Sequence, residues 1–80
     1  MRTDKVLLER IQNRQQKALE ELYYRYSSYL YTLIKRKIND THEAVSILKQ
    51  LFQEIWHNPH HFLQEKYVSV ALTKYCMLNS

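Results

Sequence analysis

Apolar residues recur along most of this chain at the spacing of one helix face. The phase breaks around residues 13–16, at Asn39-Asp40-Thr41 and after His57, which predicts an all-α fold, a small bundle of about four helices. The clearest stripe is Ala44, Ile47, Leu48, Leu51, Phe52, Ile55 and Trp56, a third helix ending near His57. Its opposite face carries Ser46, Lys49, Gln50 and Gln53. Such a face is ordinarily solvated, and its small polar side chains also suit a docking surface. A first helix places Val6, Leu7, Leu8 and Ile11 on its apolar side, with Thr3 and Asp4 as candidate caps and fraying expected at residues 13–16. The central helix, residues 17–38, puts Leu19, Leu22, Tyr23, Tyr26, Leu30, Leu33 and Ile34 on one stripe and Glu20, Glu21, Arg25 and Lys35 outside. Asn39-Asp40-Thr41 is a turn and cap, since its side-chain oxygens can accept the open N–H groups of the third helix. Residues 57–64 read as a loop around Asn58-Pro59, and a fourth, weaker helix runs from residue 65 to about 78 through Val68, Leu72 and Tyr75.

Composition supports this reading. The 80 residues include no Gly and a single Pro, so tight turns are few. One domain over residues 1–80 is expected, and a chain of this size hides only about 60 to 65% of its unfolded surface. Cys76 has no partner for an internal disulfide, which fits a reducing compartment. The first residues reach a charge before any apolar run is long enough for a signal or a membrane span, so a cytoplasmic protein with no membrane association is expected. The net charge of +4 is compatible with nucleic acid without establishing it. Lys35-Arg36-Lys37 can either complement the dipole at the end of the central helix or contact phosphate.

Little in the chain suggests catalysis. His57, His60 and His61 lie close together, but a zinc site needs four converging ligands, and His42 and Cys76 would complete one only by accident of folding; no metal and no cofactor are predicted. Glu20 and Glu21 are adjacent on a helix and diverge by about 100°, poor geometry for an acid–base pair. A nucleophile elbow, a phosphate-cradling Gly loop and a Cys-x-x-Cys are all missing, so no enzyme is expected. Of the seven tyrosines, Tyr23 and Tyr26 suit partial packing with a wet hydroxyl. Tyr67 and Tyr75 stand among Lys66 and Lys74, an interleaving of rings and cations on which single-stranded bases can stack.

Two further stretches give the sequence a family likeness. Ala18-Leu-Glu-Glu-Leu-Tyr-Tyr-Arg-Tyr-Ser-Ser-Tyr-Leu-Tyr31 precedes the third helix and Ile55-Trp-His-Asn-Pro-His-His-Phe62 ends it. In this order they resemble the second conserved region of bacterial RNA polymerase sigma factors, above all the extracytoplasmic-function group. The likeness spans nearly the whole chain, is specific at Glu20-Glu21-Leu22-Tyr23, Arg25-Tyr26 and Leu30-Tyr31, and is loose after Phe62. It implies a transcription initiation domain whose third helix docks on the clamp coiled coil of the polymerase largest subunit through Ser46, Lys49, Gln50 and Gln53. It also implies that His57, Asn58, His60, His61 and Phe62 form a base-capturing loop for the promoter minus-ten element, and that Lys66, Tyr67, Lys74 and Tyr75 face the DNA. An anti-sigma factor is a further implied partner.

The chain departs from the family pattern in three respects. Val45 and Ser46 stand where family members usually carry acids, Lys49-Gln50 replaces a Gln-Glu pair, and a Trp usual near Val68 is missing. Because the sequence stops at Ser80, the minus-thirty-five-reading domain is expected to be absent, the chain being either an excised domain or a truncated relative. The alternative expectation is a sigma-like interaction module that binds an anti-sigma factor, polymerase or a second copy of itself without promoter activity. A plain structural bundle is the third.

Overall fold

A computed structural model of the chain describes residues 2–79, residues 2 and 3 as backbone only. The described residues form four α-helices, α1 (Arg2–Gln12), α2 (Gln16–Ile38), α3 (Thr41–His57) and α4 (Val68–Leu78), with a short 3-10 helix at Pro59–Leu63 between the last two. The all-α bundle predicted by the hydrophobic pattern is what forms.

Each helix contributes its stripe to one core. Leu7, Leu8 and Ile11 of α1 meet Leu22, Leu30 and Ile34 of α2, Ala44, Ile47, Leu51 and Ile55 of α3, and Val68, Leu72 and Cys76 of α4. Helix α2 runs against both α1 and α3, and the 3-10 segment is wedged against α1. Burial pushes the Cys76 thiol up to about 11, which leaves it neutral and unreactive at neutral pH. Native protein should therefore resist alkylation by iodoacetamide and react fully in denaturant; rapid labelling of the native chain would mean that α4 packs differently.

With no Gly to supply left-handed backbone, Arg14 and Asn39 adopt it at φ 61° and 58°. Asn tolerates this conformation, and the N–H of Asn39 donates to the Lys35 carbonyl at 2.8 Å. Asp40 then caps α3 by accepting from the Glu43 N–H at 3.2 Å, as expected of this turn. Residues 13–15 do not fray. They close a turn in which the Arg14 N–H donates to Ile11 at 2.8 Å and the Gln15 N–H to Arg10 at 3.0 Å. The Arg14 guanidinium donates to the Trp56 carbonyl and lies 5.0 Å from the centre of the Trp56 ring, tying this turn to the end of α3.

Three expectations need correction. Thr3 and Asp4 fall inside α1 instead of capping it; the Thr3 side chain lies outside the described residues, and Asp4 is 2% exposed. Its carboxylate accepts from Arg25 at 2.7 Å and from the Tyr26 hydroxyl, so it is a polar tie between α1 and α2. Residues 57–64 are not an open loop, because Pro59 and Phe62 are both buried and their spacing of three matches the three residues per turn of a 3-10 helix. Finally, α4 starts at Val68 and not at residue 65, since Glu65 reaches over to pair with Lys74 and Tyr67 is still extended.

Candidate functional site

The polar face of α3 is solvent-exposed at all four expected positions, Ser46, Lys49, Gln50 and Gln53. Lys49 and Gln53 also border an open groove of about 1080 Å³ between α2 and α3. Leu19, Tyr23 and Tyr31 form its α2 wall, and Val45, Phe52 and Trp56 its α3 wall. Ser27 and Ser28 separate the two tyrosines, and their small side chains leave the space between the rings. No Asp or Glu lines the groove, whose charged member is Lys49.

Periodicity alone assigned four of these residues, Leu19, Tyr23, Phe52 and Trp56, to the core, and of them only Phe52 is buried. Tyr23 is 46% exposed, its ring edge-on to Phe52 at 5.1 Å between centroids, and Trp56 is only partly buried. Both sit at the edge of their helix's apolar stripe, where the neighbouring helix no longer covers them. Val45 and Tyr31, which sequence reasoning did not assign to a site, complete the walls. Their signal was an apolar residue beside, and not within, the stripe.

The nine residues expected to face promoter DNA divide into several environments. His57 is exposed at one end of the groove. The Asn58 amide donates to Glu54 at 3.1 Å, and the same carboxylate lies 3.1 Å from Nδ1 of His61, whose ring meets that of His60 at 4.5 Å. Phe62 is 4% exposed and fills the core, so its ring is not displayed for base capture. Tyr75 packs against it at 6.0 Å, partly buried; burial, with the charges of Glu54 and Cys76, raises its phenol above the ordinary range. Lys74 donates to Glu65 at 2.8 Å, which offsets its charge. Lys66 and Tyr67 are exposed together, the ammonium 5.6 Å from the ring centre. The structure thus brings His61, Phe62, Lys74 and Tyr75 to one small cleft of about 230 Å³, sets His60 against His61 and Lys66 beside Tyr67, and leaves His57 at the α2–α3 groove.

The most strongly perturbed polar cluster is elsewhere. A hydrogen bond to Asp4 raises the Arg25 guanidinium further, against the opposing effect of burial. Tyr26 is pushed up to about 12, first by burial, then by its bond to Asp4 and the Asp4 charge. This cluster joins α1 to α2, and its Arg25 and Tyr26 border a cleft of about 570 Å³ against α4. Among the described residues, no group of three His, Cys, Asp or Glu side chains could hold a metal ion, and no helix is long and apolar enough to cross a membrane.

Comparison of the chain with protein-family models, with curated proteins and with solved structures finds no match in any of the three.

Proposed function

We propose that this chain is a sigma-like transcription initiation domain that docks on the clamp coiled coil of RNA polymerase through the α2–α3 groove and turns residues 57–67 towards the promoter minus-ten element. The observation that carries the reading is the groove itself. It is walled by aromatic and aliphatic side chains, rimmed by Lys49 and Gln53, and free of carboxylates. An apolar floor inside a polar rim is the anatomy of a protein interface, and a groove between two helices suits an amphipathic helix laid along it. Lys49 asks for an acid on the facing helix, so charge complementarity selects among partners.

The test is a titration of the full chain with the isolated clamp coiled coil, followed by Trp56 fluorescence and by a mass-based readout. Saturable binding is expected, and Val45→Glu, which places a buried charge at the contact, should weaken it by about 2 to 5 kcal/mol while leaving the helical signal unchanged. Absence of saturable binding by both readouts rejects polymerase docking.

A second reading has its own support. With Phe62 buried and Lys74 paired to Glu65, fewer groups remain to grip a promoter strand, which favours an interaction module whose partner is an anti-sigma factor, polymerase or a second copy of the chain. The two readings separate on Lys66→Ala and Tyr67→Ala, which should weaken binding to a minus-ten single strand only under the first.

A further inference from the structure

We infer that the exposed half of α2, from Tyr24 to Arg36, is a binding track for single-stranded nucleic acid that adjoins the α2–α3 groove at Tyr31 and Thr32 and meets Lys74 of α4 at Tyr29. The track requires neither polymerase docking nor minus-ten recognition.

Charge segregation is the first observation. Between Leu22 and Asn39 the chain carries Arg25, Lys35, Arg36 and Lys37 and no carboxylate. Arg25 is held by Asp4 and Glu21, whereas no ion pair joins Lys35, Arg36 or Lys37 to an acid among the described residues. Lys35 donates to the Thr41 hydroxyl at 2.9 Å and Lys37 to the Met77 carbonyl at 2.9 Å, neutral acceptors that orient the ammonium groups without cancelling their charge. Arg36 has no hydrogen bond or ion pair among the described residues. Lys35 and Arg36 border a shallow cleft of about 490 Å³ together with Tyr31, Thr32 and Asn39. Two cations beside hydroxyl and amide groups form a surroundings suited to a phosphate.

The second observation is aromatic. Tyr24 is 79% exposed and Tyr29 55% exposed, so neither ring is held in the core. A rise of 1.5 Å and a turn of about 100° per residue place Tyr24 in one row with Lys35 and Tyr29 in another with Arg36. The two rows flank the exposed side of α2 about 120° apart, so that each row offers one ring and one cation. Single strands are gripped by this combination, since every base has a face to stack and every link a charge. An acidic protein would satisfy the cations but leave the tyrosine faces without a role.

The test uses the full chain and a fluorescently labelled oligothymidylate lacking any minus-ten sequence, with anisotropy read at several salt concentrations. Lys35→Glu combined with Arg36→Glu should weaken binding at least about tenfold and flatten the slope of log K against log salt by about 1.4, two contacts at roughly 0.7 each. Tyr24→Ala combined with Tyr29→Ala should also weaken it at least about tenfold through lost stacking. Arg10→Glu, at an exposed cation of α1 outside the track and the minus-ten surface, should leave affinity within about twofold if the track carries the strand. Unchanged affinity in either double variant, an equal loss in Arg10→Glu, or equally tight binding of a labelled oligoglutamate overturns the proposal. Should the charge-reversed pair lose its helical signal, Arg36→Glu alone is the variant to read, since its side chain is exposed and without a partner among the described residues. Failure of the clamp titration leaves this result unaffected, and the reverse holds as well.

Discussion

Replacing Phe62 with alanine is expected to destabilise the domain by about 3 to 5 kcal/mol, the usual cost of removing a buried aromatic ring. Phe62 is 4% exposed and packs in the common core, touching Tyr75 of α4 from a segment lodged against α1. At roughly 0.05 to 0.15 kcal/mol per residue, a domain of this length holds only about 4 to 12 kcal/mol in all, so the variant should lose from about a quarter of its stability to all of it. Urea denaturation followed by circular dichroism measures the loss directly. A cost under about 1 kcal/mol with an unchanged denaturant slope would place the ring at the surface and return it to the candidates for base capture. The same result decides how DNA data are read, because any loss of strand binding in Phe62→Ala would then track unfolding and not a lost contact.

Asp4→Ala should cost about 2 to 3 kcal/mol, the second largest effect expected of a single substitution here: two hydrogen bonds to a charged group, each worth roughly 1.5 to 3 kcal/mol, are lost, and the sum is reduced because Arg25 is one-third exposed and screened by solvent. The Asp4 carboxylate accepts from Arg25 and from the Tyr26 hydroxyl while itself 2% exposed. Arg25 keeps Glu21 at 2.9 Å, so its charge is not abandoned and the cost should not rise further. The cluster also gives stability an alkaline limb. Folding raises the Tyr26 pKa from 10.0 to about 12, favouring the neutral phenol, so its contribution is complete below 10 and is lost as pH rises towards 12. In Asp4→Ala the alkaline limb should move to lower pH without disappearing, because burial, the largest cause of the shift, remains. Unfolding free energies measured from neutral to alkaline pH, with Tyr26→Phe as reference, test this; an identical alkaline limb in wild type and Asp4→Ala would remove Asp4 from the account.

These two residues also mark where sequence reasoning stopped. Asp4 stands where a helix cap is common, and nothing local distinguishes a capping carboxylate from one turned across to a residue 21 positions away. Phe62 follows Asn58-Pro59 and two histidines, a composition that reads as loop, and only the packing of α1, α3 and α4 around this segment gives its ring a place to bury. Tyr23 and Trp56 failed differently. Their spacing is correct for the apolar stripe, but a stripe has edges, and the angle between neighbouring helices decides which edge residue is covered.

The amino-acid order by itself determined the helices, because a repeat near 3.6 residues, the lack of Gly and the Asn39–Asp40 turn act within a few residues of one another. It also determined which side of α3 stays wet, since Ser46, Lys49, Gln50 and Gln53 fall opposite a continuous apolar face. The groove between α2 and α3, the division of the expected DNA-facing residues into buried, paired and exposed groups, and the Asp4–Arg25–Tyr26 tie were decided by the tertiary structure. Burial and long-range pairing depend on how helices are set against each other, and helical periodicity fixes a residue's direction from its own axis but not the element it will meet there.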